Sequence, residues 1–167
     1  MPELPDVEHY KDYIDATSLQ KKIKDVKVTA SRVLKGVSAR KLGNALKGRK
    51  FTSTRRRGKY LFVEYGSGKW LYLHFGMTGD LSYFKSGEEP PRHTRVLFSF
   101  SNGYGLAFVN QRLLGKVGLI GSPEGFIEKK GLGPDALAIS YGELEDILEN
   151  KNSAVKSALM DQSALAG

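Results

Sequence analysis

Hydrophobic positions change their spacing twice along the chain. Near the start, Val7, Tyr10 and Ile14 recur at three- and four-residue steps with acidic residues between them, which predicts a first helix. Further on, short runs of β-branched and aromatic residues are separated by glycine, a pattern typical of strands. Eight strands are predicted, over residues 23–28, 50–55, 60–65, 70–75, 81–84, 96–100, 106–109 and 117–120.

Turn-forming residues and two-sided apolar runs indicate how these strands pack. Gly66-Ser67-Gly68 and Asn102-Gly103 lie between strand patterns, where turns with positive φ are needed, so we expect adjacent strands to form antiparallel hairpins. Residues 71–73 are apolar on both faces, which suits two packed layers. The expected fold is mainly β with α, an eight-stranded antiparallel β-sandwich or flattened barrel. A short helix is expected within residues 38–46.

The pattern becomes helical again after Gly131-Leu132-Gly133-Pro134. Ser140 precedes Glu143 at the capping-box spacing, and the apolar stripe that follows predicts a helix over residues 141–149. A second helix is expected to begin near Ser153. Two short helices cannot form a core alone, because tertiary packing provides most helix stability. We therefore expect a β-sandwich domain over residues 1–131 and the start of a helical domain over 132–167, cut at the end of the chain.

The charge balance indicates a polyanionic partner. The chain has 26 lysines and arginines against 18 acidic residues, and seven of the cations lie between residues 47 and 59 with no acid among them. Such like charges repel unless a polyanion binds, although an edge strand protected from aggregation is the alternative. Strand alternation predicts that Arg55, Arg57 and Lys59 share one face and Arg56 the other. Lys59 begins a buried-looking strand, which suits precise phosphate positioning.

Composition also excludes several classes of protein. The chain has no cysteine, and its three histidines show no metal-ligand spacing, so we expect no disulfide, metal or cofactor in these residues. It has no apolar run long enough to span a membrane and no signal-peptide pattern. We expect a soluble intracellular monomer without membrane contact, cytoplasmic and nucleoid-associated if the source is prokaryotic.

The first residues carry candidate chemistry. Removal of Met1 would leave Pro2 as a secondary amine beside the carboxylate of Glu3. A secondary amine that attacks an aldehyde-like carbon forms an iminium cation, and an ordinary α-amino pKa, about 7.7 to 8.0, leaves a usable unprotonated fraction near neutrality. The alternative is that Pro2 and Pro5 only mark the start of a helix.

Two later segments have the composition of loops that enter a DNA duplex. Residues 74–79 carry Met77 between glycines, and residues 110–115 carry Arg112 and Leu114. Together these three side chains could occupy the space left by an extruded nucleotide. Each of them alone is more often a core residue.

Four motifs in the same order resemble the formamidopyrimidine-DNA glycosylase and endonuclease VIII family. They are Pro2-Glu3-Leu4-Pro5 with Glu8, Arg56-Arg57-Gly58-Lys59-Tyr60, His74-Phe75-Gly76-Met77-Thr78-Gly79, and Ala154-Val155-Lys156 with Leu159-Met160-Asp161. The resemblance implies base-excision repair of damaged double-stranded DNA. The implied enzyme is a bifunctional glycosylase that removes oxidised bases and cleaves the abasic site by β- and δ-elimination through a Schiff base on Pro2.

The resemblance also implies a role for each matching residue. Pro2 would attack C1′ of the damaged nucleotide, Glu3 would act as general acid and base, and Lys59 would contact the phosphate beside the lesion. The implied DNA-binding residues are Arg57, His74, Met77, Arg112, Leu114 and Lys156. The helical part would continue as a helix-two-turn-helix domain, and a zinc finger, or a zincless equivalent, would follow outside this chain.

The sequence also departs from the family pattern. Asn110-Gln111-Arg112-Leu113-Leu114 stands where the oxidised-purine enzymes usually have Asp-Pro-Arg followed by an Arg-Phe pair, and Asp6 stands where glutamate is usual. An aliphatic side chain thus replaces an aromatic one in the loop. The sequence therefore leaves the identity of the excised base open. The alternatives are a non-catalytic DNA-binding module and an interaction domain for another acidic partner.

Overall fold

A computed structural model describes all residues, Met1–Gly167, and confirms the antiparallel β-sandwich. One sheet has the strand order β1-β6-β7-β5 and the other β2-β3-β4-β8. The strands are β1 Ile23–Val28, β2 Ser53–Arg57, β3 Tyr60–Glu64, β4 Trp70–His74, β5 Gly79–Lys85, β6 Thr94–Phe100, β7 Tyr104–Asn110 and β8 Lys116–Ile120.

The predicted hairpins are confirmed for β3–β4 and β6–β7, the pairs separated by the glycine turns. For β1–β2, β4–β5 and β7–β8 the prediction is wrong, because in each case the two strands lie in different sheets. It is also wrong for β5–β6, because β7 lies between these two strands. The predicted start of β2 at residue 50 is also wrong. Lys50 and Phe51 make only isolated bridges to Lys22 and Leu19, and the ladder with β3 begins at Ser53.

Five α-helices accompany the sheets: α1 Leu4–Thr17, α2 Ala39–Leu46, α3 Pro123–Lys130, α4 Tyr141–Glu149 and α5 Val155–Met160. The sequence pattern predicted all of them except α3. Its end signals are nevertheless present in the chain, because the Ser122 hydroxyl caps the first turn and Gly131, with φ +60°, ends the helix. Its large apolar side chains, Phe126 and Ile127, are adjacent in sequence, so α3 has no apolar repeat at three- or four-residue steps.

Side chains cover both faces of the β2-β3-β4-β8 sheet. The inner face packs against the other sheet and α1 through buried residues such as Leu61, Leu73 and Val7. On the outer face, the Phe126 ring of α3 contacts three aromatic rings of the sheet, with centroid distances of 5.2 Å, 5.6 Å and 4.6 Å to Tyr60, Phe62 and Tyr72. This double burial explains why residues 71–73 are apolar on both sides.

A buried ion pair joins the β2–β3 turn to the segment before α4. Arg56 donates hydrogen bonds of 2.6 Å and 2.9 Å to the two carboxylate oxygens of Asp135, and its Nε donates to Glu8 of α1. The N–H of Gly58 donates to Asp135 at 2.8 Å. The Arg56 and Asp135 side chains are 6% and 8% exposed, so each charge depends on the other for compensation.

The surroundings of Asp135 keep it ionised. Burial alone would raise the pKa of its carboxyl, but hydrogen bonds from Arg56 and from the N–H groups of Gly58 and Leu137 outweigh that effect and hold the pKa below its usual value. Stability from such a group is fully present above the unfolded pKa, about 3.9, and is lost as the pH falls through the folded pKa.

Asp135→Asn should therefore destabilise the fold at neutral pH and weaken its acid sensitivity. We expect a loss of about 3 kcal/mol in the free energy of unfolding, because the buried Arg56 keeps only Glu8 as a charged partner. Urea denaturation at pH 7, repeated from pH 5 downwards, measures both effects. The original chain should lose stability more steeply below about pH 4 than the variant.

Glu124→Gln is the matched control, because it breaks the exposed Arg55–Glu124 pair instead. An exposed pair contributes at most about 1 kcal/mol, so this variant should stay close to the original chain. Parallel acid profiles for the original chain and Asp135→Asn would contradict a stabilising role for the ionised carboxylate.

Candidate active site and nucleic-acid interface

Most of the predicted site residues meet at one end of the β2-β3-β4-β8 sheet. Because neighbouring strands are antiparallel, the β2–β3 turn with Lys59, the end of β4 with His74 and the start of β8 lie side by side. The loops of residues 75–78 and 111–115 extend from the same edge. The topology thus brings together residues that are distant along the chain.

The N-terminus of α1 holds Glu3 beside Lys59. Glu3 precedes the helix with an extended backbone, and its N–H donates to the carboxylate of Asp6 at 2.8 Å. Aspartate therefore reaches the capping position where the family usually has glutamate. The Lys59 ammonium forms an ion pair with the Glu3 carboxylate. Glu3, the residue after Pro2, is thus a carboxylate whose cationic partner is held in place.

Pro2 itself is half-buried, whereas the preceding Met1 is 68% exposed. Met1 is therefore accessible to an aminopeptidase, and its removal would convert the amide nitrogen of Pro2 into a secondary amine. Pro5 lies in the first turn of α1, as the helix-start interpretation expects. That interpretation and a nucleophilic Pro2 are compatible, since the helix start is what fixes the position of the amine.

Lys59 lies in the tight turn between β2 and β3. Gly58 has φ +53°, and a Cβ there would lie 3.0 Å from the Cβ of Ala166, so the turn has no space for a larger residue. Strand alternation, which predicted Lys59 on the face of Arg55 and Arg57, does not extend through this turn. Lys59 instead pairs with Glu3, just ahead of the helix whose Glu8 binds Arg56.

The imidazole ring of His74 is neutral at pH 7. Burial, followed by the positive charges of Lys59, Lys130 and Lys116, lowers the pKa of its ring. The N–H of Gly76 donates to Nδ1 at 3.3 Å, which leaves Nε2 to carry the proton of the neutral ring. His74 can therefore donate a hydrogen bond to an anion from Nε2.

Arg57 has no internal partner. It takes part in no ion pair, and its buried Nε has no hydrogen-bond acceptor in the chain. Buried polar atoms are normally satisfied, so an orphaned guanidinium N–H is an observation that needs a cause. The charge of Arg57 is thus left uncompensated within the chain, while the Nε atom itself is too buried for a bound anion to reach.

The loops of residues 75–78 and 111–115, called the wedge loops below, present to solvent the side chains that were predicted to occupy the space of an extruded nucleotide. Met77 is 42% exposed and Leu114 is 41% exposed, and Arg112 is exposed as well. Leu113 behaves differently, since it has φ +57° and packs against the core. Of the two adjacent leucines, the second is therefore the one available to a ligand.

Buried Asn110 joins these loops, a role that its sequence context did not predict. Its side-chain amide donates to the carbonyl of Phe75 at 2.9 Å, and its Oδ1 accepts from the N–H of Gly115 at 3.1 Å. The N–H of Arg112 also donates to the Thr78 hydroxyl at 3.1 Å. A polar residue at the end of a buried strand was the available signal, but its partners lie in other loops.

Helix α1 connects the loops to the N-terminus. The Tyr10 hydroxyl donates to the carbonyl of Gly79 at 3.2 Å, and its ring packs on Phe75 with centroids 4.3 Å apart. The helix that begins after Glu3 thus also contacts the base of the loop of residues 75–78.

Lys156 on α5 is exposed, and no hydrogen bond or ion pair joins it to the other predicted site residues.

The fold contains neither a metal-binding cluster nor a membrane-spanning helix. No group of three histidine, cysteine, aspartate or glutamate side chains is arranged to hold a metal ion. None of the helices combines the length and apolar character needed to cross a membrane.

Sequence comparison identifies relatives of the chain. The model of the formamidopyrimidine-DNA glycosylase N-terminal domain matches residues 1–117. The formamidopyrimidine-DNA glycosylase of Desulfitobacterium hafniense is 32% identical over 171 residues, and that of Methylococcus capsulatus is 36% identical over 170 residues. Each match covers 100% of this chain and 62% of the relative, so the chain spans less than two thirds of their length.

Solved structures give the same result. Lactococcus lactis Fpg (MutM), in a complex with DNA that contains N7-benzyl-Fapy-dG, matches with a TM-score of 0.90 and 25% identity over 99% of this chain and 62% of that chain. A MutM complex with DNA that contains carbocyclic 8-oxo-G matches with a TM-score of 0.89 at 25% identity, over 99% of this chain and 63% of that chain. By sequence and by fold, the chain belongs to the formamidopyrimidine-DNA glycosylase family.

Proposed function

We propose that this chain is the nucleophile-bearing part of a bifunctional DNA glycosylase that removes oxidised bases and cleaves the resulting abasic site in base-excision repair. The observation that carries the proposal is the Glu3–Lys59 ion pair directly after Pro2. It provides an acid and a phosphate-binding cation beside a latent secondary amine. An enzyme of this kind would act in the compartment that holds DNA.

Base removal would begin at the nitrogen of Pro2 once Met1 is gone. The nitrogen lone pair forms a bond to C1′, and the bond from C1′ to the damaged base breaks. The base leaves with that electron pair and takes up a proton, which balances the proton that the attacking nitrogen loses. Glu3 would protonate the ring oxygen of the sugar, so that the ring opens and the nitrogen becomes part of an iminium cation.

Strand cleavage would follow from the iminium. Loss of a proton from C2′ expels the 3′ phosphate by β-elimination, and a second elimination expels the 5′ phosphate. Water then hydrolyses the iminium and regenerates the secondary amine of Pro2. Lys59 would hold a phosphate beside the lesion, with Arg57 and His74 as further backbone contacts.

The wedge loops would keep the nucleotide extruded. Met77, Arg112 and Leu114 would fill the space in the duplex, which offsets part of the unstacking cost of a few kcal/mol. In this proposal residues 1–131 form the catalytic domain, and residues 132–167 begin the helical domain that brings Lys156 close to the lesion. Because Leu114 is aliphatic, it would fill the gap without aromatic stacking on the opposite base.

Borohydride trapping on abasic-site DNA tests the nucleophile. At low salt and high protein concentration, the chain with a free Pro2 should form a covalent adduct, because hydride from the reductant converts its iminium into a stable tertiary amine. The matched control is the form that retains Met1, in which the Pro2 nitrogen is an amide, with mass spectrometry distinguishing the two. No adduct from the free-Pro2 form would overturn the lyase proposal and favour the non-catalytic DNA-binding module.

Lys59→Ala should weaken DNA binding equally across sequences. Removal of one phosphate-binding cation should reduce the slope of log affinity against log salt by about 0.9. Fluorescence anisotropy at several salt concentrations measures the slope, with Lys24→Ala on β1 as a control from the other sheet. A loss confined to particular base sequences would argue against a phosphate role.

Asn110→Asp should impair base excision more than abasic-site trapping. An ionised aspartate cannot donate to the Phe75 carbonyl, so the loops lose one anchor, at a cost of about 1–3 kcal/mol in the free energy of unfolding. Excision from an intact lesion needs the wedge, whereas trapping needs mainly Pro2. Asn44→Asp, at an exposed position of α2, is the control. Equal losses in both assays would show that the loops have no separate role in extrusion.

A further inference from the structure

One residue from each strand of the β2-β3-β4-β8 sheet forms a row across its outer face. The strand register pairs Arg57 with Tyr60, Tyr60 with His74, and His74 with Lys116. Directly paired residues point to the same face of a sheet, and adjacent strands lie about 4.8 Å apart, so the row is about 14 Å long. Its two ends are cationic, and its centre is aromatic and neutral.

A groove between α3 and β8 continues from this row. The Phe126 ring lies 5.2 Å from Tyr60, and the Lys130 ammonium lies 5.9 Å from the Phe126 centroid. The groove encloses about 600 Å³. Its lining includes Lys35, Lys129 and Lys130 around Tyr72 and Phe126, and contains no acidic residue.

Close packing of the backbone shapes the groove. A Cβ at Gly118 of β8 would lie 2.5 Å from the Tyr72 ring and 2.7 Å from the carbonyl oxygen of Lys35. Glycine therefore allows the segment that carries Lys35 to run beside β8, where its N–H donates to the carbonyl of Val117 at 2.9 Å. The cation is thus held on a hydrogen-bonded segment.

The cations of this surface lack internal compensation. Lys35, Lys116, Lys129 and Lys130 take part in none of the ion pairs of the chain. Of the two acids at the start and middle of α3, Glu124 pairs with Arg55, and Glu128 does not line the groove. Lys116 and Lys130 also lower the pKa of His74, which indicates that their charges reach the row.

Building on the proposed function, we propose that the DNA backbone beside the lesion continues along this row and into the groove, where Lys116, Lys129, Lys130 and Lys35 bind successive phosphates. The row begins at Arg57, whose positive charge takes part in none of the ion pairs of the chain. Lysine ammonium groups bind phosphate as point charges and tolerate a backbone that changes direction. The surface adds affinity without base selectivity, since no base edge is contacted.

Salt-dependent binding of undamaged duplex DNA tests this surface. The test variant is Lys116→Gln/Lys129→Gln/Lys130→Gln, and the matched control is Lys22→Gln/Lys24→Gln/Lys27→Gln, in and just before β1 of the opposite sheet. Both variants remove three charges, so they change the net charge of the chain equally. The test variant should flatten the salt slope by about 0.9 for each phosphate that it no longer binds, whereas the control should keep the original slope.

The covalent trap separates this inference from the proposed function. A flattened slope with normal trapping at saturating DNA supports both proposals. A flattened slope with no trapping by any form supports the DNA surface alone. Equal slopes for the test variant and the control variant would overturn the inference, whatever the trapping result. The position of the three removed lysines would then have no effect on the salt dependence of binding.

Discussion

The buried contact between Arg56 and Asp135 is the interaction on which the arrangement of the site depends. It joins residues 79 positions apart and, through Glu8 and Gly58, fixes α1 and the β2–β3 turn relative to one another. Two charges this far from water are tolerated only when they compensate each other in good geometry. The turn that carries Lys59 is therefore held from both sides, and the ion pair of Lys59 with Glu3 follows from that placement.

The loops that would enter DNA are positioned by the hydrogen bonds of a buried amide and by close backbone packing, not by an ion pair. Asn110 uses both halves of its amide to hold two loops together, and Gly76 allows close contact, because a Cβ there would lie 2.6 Å from the Leu114 backbone. A neutral donor and acceptor pair suits this buried place better than a carboxylate, since one partner is a carbonyl oxygen. The departure of Asn110 from the usual family residue is thus compatible with an ordered loop.

The extent to which the sequence predicted this structure depends on the range of each interaction. Strand and helix patterns are local, so the eight strands and the helices with clear periodicity could be predicted, as could the β-sandwich class. Helix α3 was missed because it lacks a periodic apolar stripe, although Ser122 and Gly131 marked its ends. The partners of Arg56 and Asn110 lie in distant segments that no local periodicity connects. Motif resemblance proposed Glu3 and Lys59 as site residues, but their direct pairing required the fold.

The basic run of residues 47–59 has two roles that its composition alone could not separate. Arg55, Arg56 and Lys59 pair with acids of the chain, so they contribute to structure, whereas Arg57 has no internal partner. A phosphate that binds Lys59 must compete with the Glu3 carboxylate for the same ammonium. If the phosphate succeeds, Glu3 loses its cationic partner when DNA binds. In the proposed enzyme, the Glu3–Lys59 ion pair would thus hold the two side chains in place before DNA binds and would be replaced by a phosphate contact afterwards.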